Sequence, residues 1–178
     1  MVTFFLQEGD YLRFFLYQAT ESKKVQNRKI RNLILVFVTI VFLSVVLYLN
    51  RQSTLVKFIL AVCVFILIFY PFYFKWRYKS FYKTYIKQNF QDKIGIKTSI
   101  WLQEHNLIIE SNEIKQVFSL DEIKEIVEIK ENYFLYIESG DYIILPRSEK
   151  NVIEDLIKGI IAEIKSEIVF SDRKSWQW

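Results

Sequence analysis

The apolar residues of this chain follow three different patterns in three different places. Leu33–Leu49 and Phe58–Phe74 are runs of 17 residues without a charge. Each is apolar on every side, with no polar stripe at helical period. Between residues 94 and 146, short β-prone runs alternate with polar turns. From Ile153 onward, apolar positions recur at the spacing of one helix face. The pattern therefore predicts two all-apolar helices, a group of short strands and a final amphipathic helix.

The two all-apolar runs read as membrane spans, at about 32–50 and 55–75 once flanking residues are included. Seventeen helical residues reach roughly 25 Å, a little short of a hydrocarbon core of about 30 Å. Ile30 and Leu55–Val56 add apolar length, and the stems of Arg31 and Lys57 can snorkel to the interface. Buried helices of a soluble core are the alternative. The flanks favour the membrane: Tyr48, Tyr70, Tyr73, Trp76 and Tyr78 lie near the run ends, as an aromatic belt would. The first run starts 32 residues in and has no A-x-A-like site after it, so it reads as a span and not as a cleaved signal. The connection Asn50–Lys57 is short enough to force an antiparallel hairpin, and Pro71 predicts a kink in the second helix.

Charge sharpens this picture. Residues 1–93 hold 14 Lys/Arg and 4 Asp/Glu; residues 94–178 hold 10 and 16, so a basic half precedes an acidic one. The contrast predicts a domain boundary near Asp92–Lys93. Cations cluster before the first run (Lys23, Lys24, Arg28, Lys29, Arg31) and after the second (Lys75, Arg77, Lys79, Lys83, Lys87). The connection carries only Arg51 and Lys57, which predicts both termini in the cytoplasm and the short loop outside. Neither run has a charged residue at its centre, which argues against an ion or proton pathway. The aromatics Phe81, Tyr82, Tyr85 and Phe90 interleave with lysines, a pattern seen in nucleic-acid binding; beside a span, anionic headgroups are the favoured reading.

Before the first span, Val2–Leu6 reads as a short strand and Glu8-Gly9-Asp10 as a break, with Asp10 as N-cap. A helix from Tyr11 to about Arg31 then runs into the span, its Tyr11, Leu12, Phe15, Leu16 cluster packing on the second half. In the acidic half, Ile94–Gln103, Leu107–Ser111, Ile114–Leu120, Ile123–Ile129, Asn132–Glu138 and Tyr142–Leu145 read as strands of an antiparallel meander. Ser139-Gly140 is the clearest hairpin signal. Ser148 and Asn151 are alternative caps for a helix at about 149–168, with Asn151-x-x-Glu154 as a capping box and Glu154–Lys158 as an outer ion pair. Its stripe, Ile153, Leu156, Ile157, Ile160, Ile161, Ile164 and Ile168, must be buried against the sheet. The expected fold is thus an α+β membrane protein. A two-helix transmembrane hairpin with cytoplasmic helical extensions occupies 1–93. A small antiparallel, pleckstrin-homology-like (PH-like) β domain closed by a C-terminal amphipathic helix occupies 94–170, and a frayed tail 171–178.

This order of elements resembles the bacterial YcxB-like membrane proteins. The local likeness is carried by Phe118-Ser-Leu-Asp-Glu-Ile123, Tyr133-Phe-Leu-Tyr136 and Tyr142-Ile-Ile-Leu-Pro-Arg147, and at the start by Asp10-Tyr11-Leu12. The resemblance implies a membrane-anchored PH-like domain in a bacterial cell membrane. It brings no catalytic residue.

Candidate chemistry is sparse. A single cysteine, Cys63, and a single histidine, His105, exclude a disulfide scaffold and a Cys/His zinc site. His105 reads as a solvated turn residue and Cys63 as a small apolar filler. Asp121, Glu122, Glu125 and Glu128 offer paired acids or cation ligands, but strand alternation favours an exposed charged face. Arg147 after Pro146 is a weak anion-contact candidate. No phosphate loop, HExxH or nucleophile elbow occurs. No catalytic, cofactor-binding or metal-binding residue is therefore assigned, and the chain is expected not to be an enzyme. The expected function is a membrane-tethered, non-catalytic binding or scaffold module with an unknown protein partner. The alternative is a small subunit or regulator of a membrane transport or stress-response assembly. Nucleic acid and a small-molecule substrate are not expected, and the net charge of −6 over 94–178 should keep the β domain off anionic lipid.

Overall fold

A computed structural model of the chain describes residues 1–112, 114–147, 150–164 and 168–178, the side chains of Ser53, Lys150 and Asn151 excepted. In chain order the elements are β1 (Val2–Phe5), α1 (Glu8–Glu21), α2 (Lys23–Leu49), α3 (Ser53–Asn89), β2 (Lys97–Gln103), β3 (Asn106–Ser111), β4 (Ile114–Ser119), β5 (Ile123–Glu128), β6 (Asn132–Ile137), β7 (Tyr142–Pro146), α4 (Lys150–Glu163) and β8 (Val169–Asp172). Two compact units result: Phe15–Tyr82, and Met1–Phe14 together with Lys83–Trp178.

The first unit is the helical hairpin. Helix α1 does not run into α2, because the chain breaks at Ser22. That residue is extended (φ −69°, ψ 108°), and its hydroxyl accepts from the Val25 N–H. Ser22 is thus the N-cap of α2, a weak signal in a stretch without Gly or Pro. The turn between α2 and α3 is held by Arg51 in the left-handed region (φ 60°). The Tyr70 hydroxyl donates to the Lys29 carbonyl, and the Lys29 ammonium lies 5.2 Å from the Phe74 ring centre. The helices are therefore antiparallel. Helix α3 is continuous through Pro71.

Both helices are long and apolar enough to cross a membrane. No residue of α2 is buried, and Phe42, Phe58 and Phe72 each expose about two thirds of their surface (66%, 67% and 69%). They are not core helices of this chain. The Thr39 and Ser44 hydroxyls donate to the carbonyls four residues back, so neither needs an outside partner.

The second unit contains two four-stranded sheets, ordered β1-β2-β3-β4 and β7-β6-β5-β8. All pairs are antiparallel except β5 with β8. The predicted strands are all present, with ends shifted by a few residues. Strand β1 is a correction to the 1–93 grouping. It pairs with β2 in the register Val2↔Ile100 to Phe5↔Lys97, and Val2 and Phe4 enter the core with Ile100 and Leu107. The tail is a second correction. Residues 169–172 form β8 on the edge of β5, where a frayed tail was expected from 171, and the Arg173 N–H continues by donating to the Glu128 carbonyl.

Helix α4 packs on β1 and β2 with Ile153, Ile157 and Ile160 buried, while Ile161 stays 44% exposed. It ends at Glu163 and not near 168. Gly159 permits this approach, because a Cβ there would meet the Leu102 side chain at 3.3 Å. Both cap candidates, Ser148 and the side chain of Asn151, lie outside what is described. Glu154 pairs with Arg147, and Lys158 instead reaches Asp155 at 3.4 Å.

The other face of the β7-β6-β5-β8 sheet is covered by the start of α1. Phe14 is fully buried there, stacked on Tyr142 (4.0 Å between centroids) and edge-on to Phe134 (5.2 Å). Ile86, near the end of α3, is also fully buried, so the last turn of that helix belongs to the β domain.

The α4 packing makes a prediction. Ile157→Asp or Ile160→Asp puts an unpaired carboxylate into the core and should cost about 4 kcal/mol or more. Lys158→Asp, on the exposed side, should be tolerated. Limited proteolysis of the full chain distinguishes them, and equal sensitivity would refute this packing.

Candidate binding groove and polar cluster of the β domain

Two features of the β domain have the geometry of a site. The first is an apolar groove of about 460 Å³. Its walls include Phe4 from β1, Ile109 from β3, Phe118 from β4 and Tyr142 from β7, with Tyr11 and Phe90 beside them. Asp92, Lys93 and Asp141 supply charge. Strands β4 and β7 are the outer strands of their sheets, so each carries an edge row of main-chain groups outside its own ladder. Tyr11 packs on Phe90 at 5.0 Å between centroids. Burial, with Tyr142, Asp10 and Asp92 nearby, pushes its phenol up to about 12. The Tyr142 phenol is also raised, again mainly by burial.

The second feature is a buried polar cluster centred on Glu128. This carboxylate accepts from the Tyr133 hydroxyl (2.9 Å), Arg147 Nη1 (2.9 Å) and Lys174 Nζ (3.0 Å). Arg147 also donates to Glu154 and lies 5.2 Å over the Tyr133 ring. One guanidinium therefore joins the end of β5, the end of β7 and α4. Its Nη1 and Nη2 donate to carboxylates of the same chain while its Nε is buried without a hydrogen-bond partner among the described residues, so two of its three nitrogens are already committed to structural contacts. Burial and the hydrogen bond to Glu128 both raise the Tyr133 phenol. A separate hydrogen bond, from its own ammonium to Glu128, raises Lys174.

Glu128 corrects the exposed-face expectation for the acids. It is only 4% exposed, whereas Asp121 and Glu122 are exposed and Glu125 is half-buried, accepting from the Ser171 hydroxyl at 2.7 Å. The signal was present: Glu125 and Glu128 are three residues apart on one strand and so face opposite ways. Asp10 was also misassigned. It sits inside the first turn of α1, accepts from the Gln7 N–H (2.8 Å) as the acid of a capping box, and takes Asn132 Nδ2 (2.9 Å) and Arg13 (3.1 Å) as well. Asn132 and Phe14, which fasten α1 to the sheet, were missed.

His105 lies in the β2–β3 turn, where Glu104 and His105 both have positive φ (48° and 66°). Its carbonyl accepts from the Leu120 N–H, and its Nε2 lies 3.2 Å from Asp121. Among the described residues, no group of three or more His, Cys, Asp or Glu is placed to hold a metal ion.

What these features define is a two-sheet α+β domain joined to an apolar helical hairpin. Residues 102–150 of the chain match the model of a family described as YcxB-like protein. The match runs from the end of β2 to the start of α4 and includes the motif residues Phe118 to Arg147. No curated protein and no solved structure matches the chain.

Two predictions follow from these contacts. Arg147→Leu leaves Glu128 and Glu154 without their shared guanidinium and should cost about 3–5 kcal/mol. Lys174→Leu should cost far less, since that ammonium is solvated. Chemical denaturation of the purified full chain measures both, and equal losses would count against Arg147 as the junction. Tyr11 contributes to an alkaline effect. The folded chain keeps a proton that the unfolded chain releases near 10, so stability is intact below pH 10 and lost as pH rises from 10 to about 12. Tyr11→Phe should reduce that slope in a circular-dichroism titration without abolishing it, because the Tyr133 and Tyr142 phenols are raised too; an unchanged slope would exclude Tyr11 as a contributor.

Proposed function

We propose that this protein is an integral membrane protein whose cytoplasmic, PH-like β domain serves as a non-catalytic binding module for a protein partner. The observation that carries the binding role is the apolar groove between β4 and β7, bordered by two strand edges. An extended segment entering it would find main-chain donors and acceptors along one side and apolar walls for alternate side chains.

The membrane reading rests on the exposure of the apolar side chains of α2 and of nearly all those in the apolar run of α3, and on the tyrosines and tryptophan near their ends. The cytoplasmic placement rests on the cations outside the short turn. The PH-like reading is supported by strand order. Four strands form one sheet in sequence, β5 to β7 form a second meander, and a helix follows, with the hairpin inserted between the first strand and the second.

A photo-crosslinking amino acid at Phe118 or Tyr142 in living cells should give protein adducts of defined mass. The same probe at Lys124, exposed on β5, should not. Adducts of equal yield at all three positions would refute the groove. Reporters should read cytoplasm when fused after Asp92 and outside when inserted at Gln52; the reverse pattern would refute the orientation.

A further inference from the structure

We propose that the paired ends of α2 and α3 opposite the Arg51 turn form a binding site for the headgroup of an anionic phospholipid. The inference rests on the membrane reading above and adds a ligand to it.

The sequence from Ser22 to Gln91 contains twelve Lys/Arg and no Asp or Glu. Ten of those cations flank the apolar runs, and no acid in the whole stretch can neutralise them. The hairpin then concentrates them. The Tyr70–Lys29 hydrogen bond and the Lys29–Phe74 contact fix the register of α2 against α3. That register brings Arg28 near the level of Tyr73, Lys24 near Arg77 and Lys23 near Lys79. Lys23, Lys24, Arg28, Lys75, Arg77 and Lys79 are all exposed. From Lys23 to Arg31 the band rises about 12 Å. A headgroup layer is roughly 5–8 Å thick, so the band covers it.

Aromatic rings lie within this band. Trp76, between Lys75 and Arg77, is 67% exposed, and Tyr73 is 49% exposed. An indole with its polar edge at headgroup depth, flanked by cations, suits a phosphodiester whose acyl chains descend along the apolar helices. Nucleic acid has the same charge but no use for the apolar surface directly below the band. The anionic lipid therefore matches more of what is exposed.

The test uses Trp76 as a reporter. The full chain carrying Trp101→Phe, Trp176→Phe and Trp178→Phe is reconstituted into phosphatidylcholine vesicles containing phosphatidylglycerol, with one lipid or the other brominated. Bromine quenches an indole in contact with it, so the two series give the relative association of the lipids at Trp76. Phosphatidylglycerol should be preferred by about fivefold at low salt. The preference should fall towards one in 0.5 M salt, the expected screening for exposed charges at about that ionic strength. It should also fall in Lys23→Gln/Lys24→Gln/Arg28→Gln/Lys79→Gln.

A ratio of one at low salt would overturn the proposal. So would a preference that survives the quadruple substitution, or one abolished by a single-stranded oligonucleotide, which would assign the band to nucleic acid. Absence of quenching by either lipid would overturn the membrane reading itself. Quenching by both lipids without preference would leave that reading standing and remove only the headgroup site.

Discussion

Four residues at the start of the chain are hydrogen-bonded in register beside β2, and about ninety residues of helix and turn lie between the two strands. Joining the ends of a flexible loop that long costs about 4 kcal/mol in chain entropy. The antiparallel hairpin offsets much of this, since it returns the chain towards its starting point before β2 forms. The pairing also constrains what the helices can do. A strand cannot hydrogen-bond to a partner across a bilayer, so if α2 crosses a membrane α3 must cross it back. One span is ruled out by β1, and two are allowed. The strand also contributes Val2 and Phe4 to a core shared with α4, so the domain is incomplete without the residues that precede the hairpin.

Polar side chains fasten the remaining pieces. Each of the two most connected buried carboxylates joins segments far apart in sequence. Asp10 holds the first turn of α1 to Asn132, and Glu128 holds the tail through Lys174 and the end of β7 through Arg147. Buried carboxylates without such partners would be strongly destabilising. Their positions mark where α1 and the C-terminal segment meet the sheet that carries both, the β7-β6-β5-β8 sheet. The hydrophobic core alone would hold these segments less specifically, because an apolar contact has no preferred direction.

The strands between 97 and 146 were legible because period-two alternation and turn residues are local signals. The two left-handed residues Glu104 and His105 fall in a turn read from polar residues alone, and the positive φ of Gly140 falls in the hairpin that Ser139-Gly140 signals. What was not legible depends on distant partners. Nothing near Val2–Phe5 indicates that its partner is β2. Strand β8 pairs in parallel with β5 and so has no hairpin turn to announce it. Phe14 looks like any aromatic in an amphipathic helix until Phe134 and Tyr142 surround it. The groove was legible least of all, since its walls come from five strands, from α1 and from the segment that follows α3.

The way the two sheets end gives the groove its meaning. An edge strand invites pairing by other chains, and proteins usually cover or charge such edges. Here β5 is covered by the chain's own C-terminal strand, which Ser171 and Lys174 fasten to acids of β5. Strand β4 lacks such a cover. Ile114 and Val117 on it are 65% and 55% exposed, and Lys115, its only cation, lies near Trp101 at 5.8 Å from the ring centre. Strand β8 in turn becomes an outer strand, as β1, β4 and β7 are, and of these four β1, β4 and β7 line the apolar groove. An open edge without a use would expose the chain to indiscriminate self-association, a cost that a bound extended segment would remove. The proposed binding surface is put at β4 because that outer strand lines the groove and exposes Ile114 and Val117, whereas β8 does not line it.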